Sequence, residues 1–221
     1  MFMQIDNVLT AAELSELHRI ADTAPFVDGR ITNPHNIAKN NLQLHDPAVV
    51  QRSAKLLADA LYRNEEFRNY AFPKVIAPPI LTKYAASMHY GLHADAAFMK
   101  LANRTLRSDL SCTIFLSDPG EYDGGTLHIR LGTADVHIRA PAGSVILYPS
   151  TTLHEVTPVT RGERRVGLTF IESRIADPEQ REWLYELNEV AALEGLGMAH
   201  ENFTRLQRIQ ANLLRHWGEP D

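Results

Sequence analysis

The chain has 221 residues, 44% of them hydrophobic, a formal net charge of −5 and one cysteine, Cys112. This length suits one compact domain with a small appendage, and a lone cysteine excludes a disulfide within the chain. The acidic balance offers no footprint for nucleic acid. No window approaches the roughly 20 apolar residues of a membrane span, and the N-terminus lacks the regions of a signal peptide. A cytoplasmic protein with neither nucleic acid nor membrane as partner is expected.

In chain order, Met1–Asn7 reads as a short strand. Thr10 and Glu13 form a capping box, and Leu14, Leu17, Ile20 and Ala21 follow at helical spacing, so a helix is predicted to about Thr23. Phe26–Arg30 reads as a strand, and residues 31–46 as a polar loop with a turn at Asn33-Pro34. Asp46 and Pro47 open a second helix, with Val50, Ala54, Leu57 and Leu61 as its apolar stripe. Both helices are expected to buttress a sheet.

From about Val75 short extended runs alternate with turn residues. The predicted strands are Ile80–Ala85, His89–Asp95, Asp109–Ser117, Thr126–Arg130, Val136–Arg139, Ser144–Tyr148, Glu155–Thr160 and Arg165–Ile171. Many short strands with regular turns indicate a sandwich or barrel. The expected fold is mainly β with flanking helices, a double-stranded β-helix or jelly roll. Cys112 lies in one of these apolar runs and reads as a core thiol. Residues 96–108 break the rhythm, either as a lid over a site or as a helical turn packed on the barrel. Beyond Arg174 two helices are predicted, one opening at Asp177-Pro178 and one over about Glu201–Trp217, with a break at Gly195–Gly197. The expected division is therefore a jelly-roll domain at 1–174, with its N-terminal helices, and a C-terminal helical pair at 175–221. That pair packs on the barrel or forms a homodimer contact.

The chemistry-bearing stretch is His89–Asp95. On an extended strand His89, Gly91, His93 and Asp95 share one face. His93 and Asp95 can then grip a metal from one side, with His89 at the rim. A zinc-protease His-Glu-x-x-His helix is absent, because His154-Glu155 has no second histidine at the required spacing. His154 follows the apolar run Ser144–Tyr148 and is placed to project into a barrel mouth. Two histidines and one carboxylate make the facial triad of non-haem Fe(II) oxygenases, which leaves one side of the metal open. Arg164, ten residues past His154, offers a planar fork suited to a carboxylate such as that of 2-oxoglutarate, although a chance surface arginine has the same sequence. Tyr84 and Tyr148 are candidate hydroxyl donors to that co-substrate, or else core aromatics.

The segments Lys83–Asp95, Arg107–Pro119, Tyr122–Leu127 and Leu147–Arg164 together resemble bacterial PKHD-type hydroxylases, which are Fe(II)/2-oxoglutarate dioxygenases akin to the prolyl 4-hydroxylase catalytic domain. Asn7–Thr10, Lys39–Gln43 and the helical tail with Asn212–Arg215 extend the likeness over nearly the whole chain. The resemblance implies His93, Asp95 and His154 as iron ligands and Arg164 as the 2-oxoglutarate anchor. It implies Fe(2+), 2-oxoglutarate, O2 and L-ascorbate as cofactors. The implied reaction is hydroxylation of an unactivated C–H of a small-molecule or peptidyl substrate, with release of succinate and CO2. Related halogenases replace the carboxylate ligand by a small residue, so Asp95 favours hydroxylation. The chain departs from the family pattern at Ser87, commonly Gly, at Ala96, commonly Asn, and at Phe170-Ile-Glu172, commonly Trp-x-Gln. The alternatives are a cupin-like metal enzyme that does not use 2-oxoglutarate and a non-catalytic jelly-roll binding module. Arg164 discriminates the first of these.

Overall fold

The computed structural model describes residues 2–33 and 36–220. Met1 of the first predicted strand and Pro34 of the predicted turn lie outside the described residues. The capping signals work as read. Thr10 accepts from the Glu13 amide, Glu13 reaches back to the Thr10 amide, and helix α1 runs Ala11–Thr23. Asp46 caps α2, Pro47–Arg63, with proline in its first turn. A further helix not foreseen in the sequence follows directly. Asn64 ends α2 and its side chain accepts from the Phe67 amide, opening α3, Glu65–Ala71. The two C-terminal helices are α4, Pro178–Glu194, and α5, His200–Trp217.

The strands in chain order are β1 Met3–Ile5, β2 Phe26–Asp28, β3 Lys39–Asn40, β4 Leu42–Leu44, β5 Pro73–Ile76, β6 Ile80–Tyr84, β7 His89–His93, β8 Phe98–Lys100 and β9 Thr105–Arg107. They continue as β10 Leu110–Phe115, β11 Tyr122–Gly124, β12 Leu127–Leu131, β13 Ala134–Ile138, β14 Val145–Pro149, β15 Leu153–Val156, β16 Val159–Gly162 and β17 Arg164–Ser173. The major sheet has the order β1-β14-β10-β17-β6-β4-β2, with β5 also on β17, and the minor sheet β13-β12-β15-β7-β3. All pairings are antiparallel. This is the jelly roll expected, mainly β with flanking helices.

Alternation along β10 shows the layering. Leu110, Cys112 and Ile114 join the core against the helices, with Leu57 and Leu61 of α2. Phe115 faces the other way, into a second core between the sheets with Ile129 and Val166. Burial pushes the Cys112 thiol far up, as a core cysteine requires.

Four local expectations are corrected. The loop at 31–46 contains β3 and β4, whose Lys39 and Gln43 are buried. Phe26–Arg30 is a strand only to Asp28, after which Gly29–Thr32 forms a 3-10 turn. Glu155–Thr160 is not one strand. β15 belongs to the minor sheet, while β16 pairs with β11, and Pro158 between them withholds the amide a continuous ladder needs. Residues 96–108 are neither a helical turn nor a bare loop, because β8 and β9 pair as a hairpin.

Candidate functional site

Two of the predicted ligands arrive on adjacent strands. β7 and β15 pair with His93 opposite His154, and the register then slips, so that Val156 opposes Tyr90. Three residues of β7 therefore span two of β15. With side chains alternating along a strand, this bulge puts Tyr90, not His89, on the inward face with His93. The Tyr90 ring stacks on His93 at 3.7 Å between centroids, 16° from parallel. The shared face expected for His89, Gly91, His93 and Asp95 is thus corrected. His89 lies outside the cavity lining, its Nδ1 3.3 Å from the Ser87 carbonyl. Asp95 sits past the end of β7, in the segment that leads to β8, and lines the cavity.

The ring orientations are fixed by backbone. His93 Nδ1 lies 2.8 Å from the Gly91 carbonyl and His154 Nδ1 3.0 Å from that of Thr152. A carbonyl only accepts, so each Nδ1 carries a proton, and the tautomer this selects has its lone pair on Nε2. These nitrogens face Asp95, at 3.9 Å for His93 and 3.6 Å for His154. One ligand atom from each of the three residues lies within 4.8 Å of the others. Burial, and then the neighbouring His154, hold His93 below the usual imidazole range, which keeps it neutral and available to a metal.

Asp95 is held from behind. Its Oδ2 accepts from Ser111 Oγ at 2.6 Å, Ser111 and Ser150 Oγ are 2.8 Å apart, and Ser108 donates to Ser150 at 2.8 Å. Each hydroxyl has one proton. Since Ser111 gives its own to Asp95, Ser150 must donate to Ser111, and the chain of protons points at the carboxylate. Sequence reasoning missed these serines. A signal existed, since Ser111 and Thr113 are polar at alternate positions of an apolar strand.

Arg164 opens β17 opposite Tyr84 and is 1% exposed. Its Nε, Nη1 and Nη2 have no hydrogen-bond partner among the described residues. The guanidinium lies over the rings of Tyr84 and Phe115, at 5.2 and 5.6 Å from their centroids. Tyr84 accepts from Asn41 Nδ2 at 2.9 Å, which leaves its own proton free to donate. Tyr148 stands edge-on to His154 at 5.0 Å. Burial raises both phenols, so both keep their protons. The triad, Arg164 and both tyrosines line one cavity of about 620 Å³. The structure thus brings together all six predicted site residues. The donor set of two nitrogens and one carboxylate suits Fe(II), and an unpaired buried cation in the same cavity suits a dicarboxylate chelated to that ion.

The three departures from the family pattern behave differently. Ser87 has φ +74°, a left-handed conformation that glycine adopts without strain. Ala96 and Phe170 line the cavity. Glu172 does not. It is 5% exposed and accepts two bonds from Arg104 Nη2, at 2.9 and 2.8 Å, tying the β8–β9 hairpin to β17. The end of the chain adds a second tie, because Glu219 pairs with Arg107 at 2.6 Å and with Lys74 at 3.0 Å. Phe98 and Met99 at the hairpin form one wall of the cavity.

The 2OG-Fe(II) oxygenase superfamily model matches residues 79–171, which hold the triad and Arg164. The chain is 57% identical over 212 residues to a PKHD-type hydroxylase of Sphingopyxis alaskensis, covering 96% of this chain and 95% of that protein. It is 39% identical over 224 residues to a PKHD-type hydroxylase of a Synechococcus species, covering 99% of this chain and all of that one. Among solved structures it is similar to a Pseudomonas putida prolyl-4-hydroxylase, with TM-score 0.57, 17% identity, 77% of this chain and 92% of that chain. It is also similar to a Trichoplax adhaerens prolyl hydroxylase in complex with a hypoxia inducible factor peptide fragment, with TM-score 0.56, 15% identity, 83% of this chain and 86% of that chain. These two likenesses concern the fold.

Proposed function

Since this chain belongs to the PKHD-type hydroxylase family, as a 2-oxoglutarate-dependent hydroxylase, we propose that His93, Asp95 and His154 hold its Fe(II) and that Arg164 receives the far carboxylate of 2-oxoglutarate. The hydroxyls of Tyr84 and Tyr148 lie beside that co-substrate. The reaction is hydroxylation of an unactivated C–H with release of succinate and CO2, with L-ascorbate as reductant.

When bound, Fe(II), 2-oxoglutarate and O2 supply the oxidising power that breaks the C–H bond. The protein's residues do the rest. The carbonyls of Gly91 and Thr152 keep both imidazoles in the ligating tautomer. The serine chain turns Asp95 toward the two Nε2 atoms. Tyr90 and Tyr148 pack against the two rings and fix their tilt. Arg164 lines the same cavity as the triad, so it would offer a cation to the far carboxylate of a dicarboxylate held at the metal, and the largely apolar lining would keep bulk water away.

One observation carries this reading. Arg164 is buried in the cavity that holds the triad, and its guanidinium has no hydrogen-bond partner among the described residues. A metal enzyme that makes no use of 2-oxoglutarate leaves that arginine without a carboxylate from its co-substrate, and succinate formation separates the enzyme from a plain binding module. The test is to add Fe(II) and 2-oxoglutarate to the protein without oxygen and record the visible spectrum. A charge-transfer band is expected, followed by succinate when oxygen is admitted. Absence of both refutes the proposal. If the band is as intense in Arg164→Met as in wild type at limiting 2-oxoglutarate, the anchor assignment fails.

A further inference from the structure

The cavity holds a second buried cation that the triad and the 2-oxoglutarate anchor leave unused. Lys39 sits on β3, the edge strand of the minor sheet, opposite Tyr90 of β7. The close approach of β3 to β7 depends on Gly91, where a Cβ would lie 2.8 Å from that of Ala38. Lys39 is 6% exposed and its ammonium lies 5.5 Å from the centre of the Tyr90 ring. That ring is itself stacked on His93. The Tyr90 ring therefore neighbours both the ammonium and the imidazole of His93.

An ammonium has three donors. Among the described residues Lys39 Nζ uses one, to Thr32 Oγ1 at 2.7 Å. Thr32 in turn lies 3.1 Å from Gln43 Oε1 and brings no charge. The two carboxylates nearest in the field of Lys39 are Asp28 and Asp95. Asp28 is taken by Arg30, and Asp95 faces the two histidines. Burial draws the lysine down to about 8, against the pull of Asp28 and Asp95, so it is still mostly charged at neutral pH. Burying a cation against a single neutral hydroxyl is costly unless a ligand completes its shell.

Arg164 belongs to the major sheet, paired with β6, whereas Lys39 lies at the far edge of the minor sheet. The wall supplied by the hairpin presents Phe98, Met99 and Leu101, with Phe98 65% exposed. We propose that Lys39 receives a carboxylate of the substrate, and that the compound hydroxylated is an acid whose apolar body lies against the β8–β9 hairpin. The inference rests on the reading of the site as an Fe(II)/2-oxoglutarate centre. A monoanion suits the site, since one lysine with two N–H groups unused among the described residues matches one carboxylate. Lys100, the other lysine of the wall, is exposed on the hairpin.

The experiment uses the full chain with Fe(II) and saturating 2-oxoglutarate, without oxygen. Two carboxylate probes, hexanoate and 4-phenylbutyrate, are titrated calorimetrically beside their uncharged amides. Wild type is expected to bind each acid about tenfold or more tightly than its amide, the scale of one charge-assisted contact. Lys39→Met should lose that preference, while Lys39→Arg, which keeps the charge, should retain most of it. The visible band serves as the check of folding and of 2-oxoglutarate binding in every variant. Equal binding of acid and amide by wild type, including no binding of either, overturns the inference, as does a preference that survives in Lys39→Met. A parallel loss of 2-oxoglutarate affinity in Lys39→Met also overturns it, because Lys39 then serves the co-substrate. Failure of wild type to form the band at all is a different result. It refutes the site reading beneath this inference.

Discussion

Replacing Arg164 by methionine should make the ligand-free protein more stable and abolish its response to 2-oxoglutarate. Methionine keeps the stem and removes the charged head. The lost contacts with the rings of Tyr84 and Phe115 cost about 1–2 kcal/mol together. Against this, a guanidinium that is 1% exposed and has no hydrogen-bond partner among the described residues carries a penalty of several kcal/mol, which water in the cavity relieves in part. The balance predicts a gain of about 1–2 kcal/mol, or about 2–8 °C in Tm for a chain of this size. With co-substrate the order reverses. Losing one partner of a buried ion pair costs roughly 3–5 kcal/mol, or two to four orders of magnitude in affinity. At a hundredfold excess over Kd, 2-oxoglutarate should stabilise wild type by about 2.7 kcal/mol and the variant by nearly nothing. Anaerobic calorimetric melts with Fe(II), with and without 2-oxoglutarate, read both effects. A variant that melts below wild type without ligand, yet shifts like wild type with it, refutes the reasoning and makes Arg164 a structural cation.

Three further outcomes are expected. Ser111→Ala removes the donor to Asp95 Oδ2 and should weaken metal binding about 10- to 100-fold in an equilibrium titration; unchanged affinity would mean the serine chain does not orient the ligand. Glu172→Gln weakens the tie to Arg104 and should speed amide exchange across Phe98–Arg107 about tenfold while leaving β10 protected. Identical exchange in the two proteins would show that the hairpin is held by other contacts. Glu13, drawn down to about 2 chiefly by Arg63, gives stability that is complete above its ordinary value of 4.5 and is lost as the pH falls toward 2. Denaturation midpoints measured through that window should drop more steeply for wild type than for Glu13→Gln, and parallel curves would remove Glu13 from the account.

What could be read in the sequence was what depends on near neighbours. The capping box at Thr10, the proline start of α2 and the break at Gly195–Gly197 are local, and each lies where expected. The alternating cores of the jelly roll follow from the same short-range pattern. The site was legible in its residue types, because a triad and an arginine are scarce chemistry whose spacing suggested a common cavity. Its geometry was not. Register is a property of two strands, so nothing within His89–Asp95 announced that Tyr90 would replace His89 on the inner face. Lys39 and Gln43 stood in a stretch whose polarity read as a loop. They are buried because β3 and β4 join sheets formed by residues far along the chain. Glu172 stood out only as a departure from the family pattern, whereas its partner Arg104 comes from a hairpin whose strands pair outside either main sheet.

The bulge between β7 and β15 has a bearing on how such a sequence is free to drift. The slip of one residue follows the pair His93–His154 and brings Tyr90 opposite Val156, on the same inner face as the two imidazoles. Exchanging one side chain for another along this strand leaves that count intact. Gaining or losing a single residue between Tyr90 and His93 does not, for it exchanges inside and outside for everything on one side of the change. Under selection this short segment should therefore tolerate altered spelling far more readily than altered length.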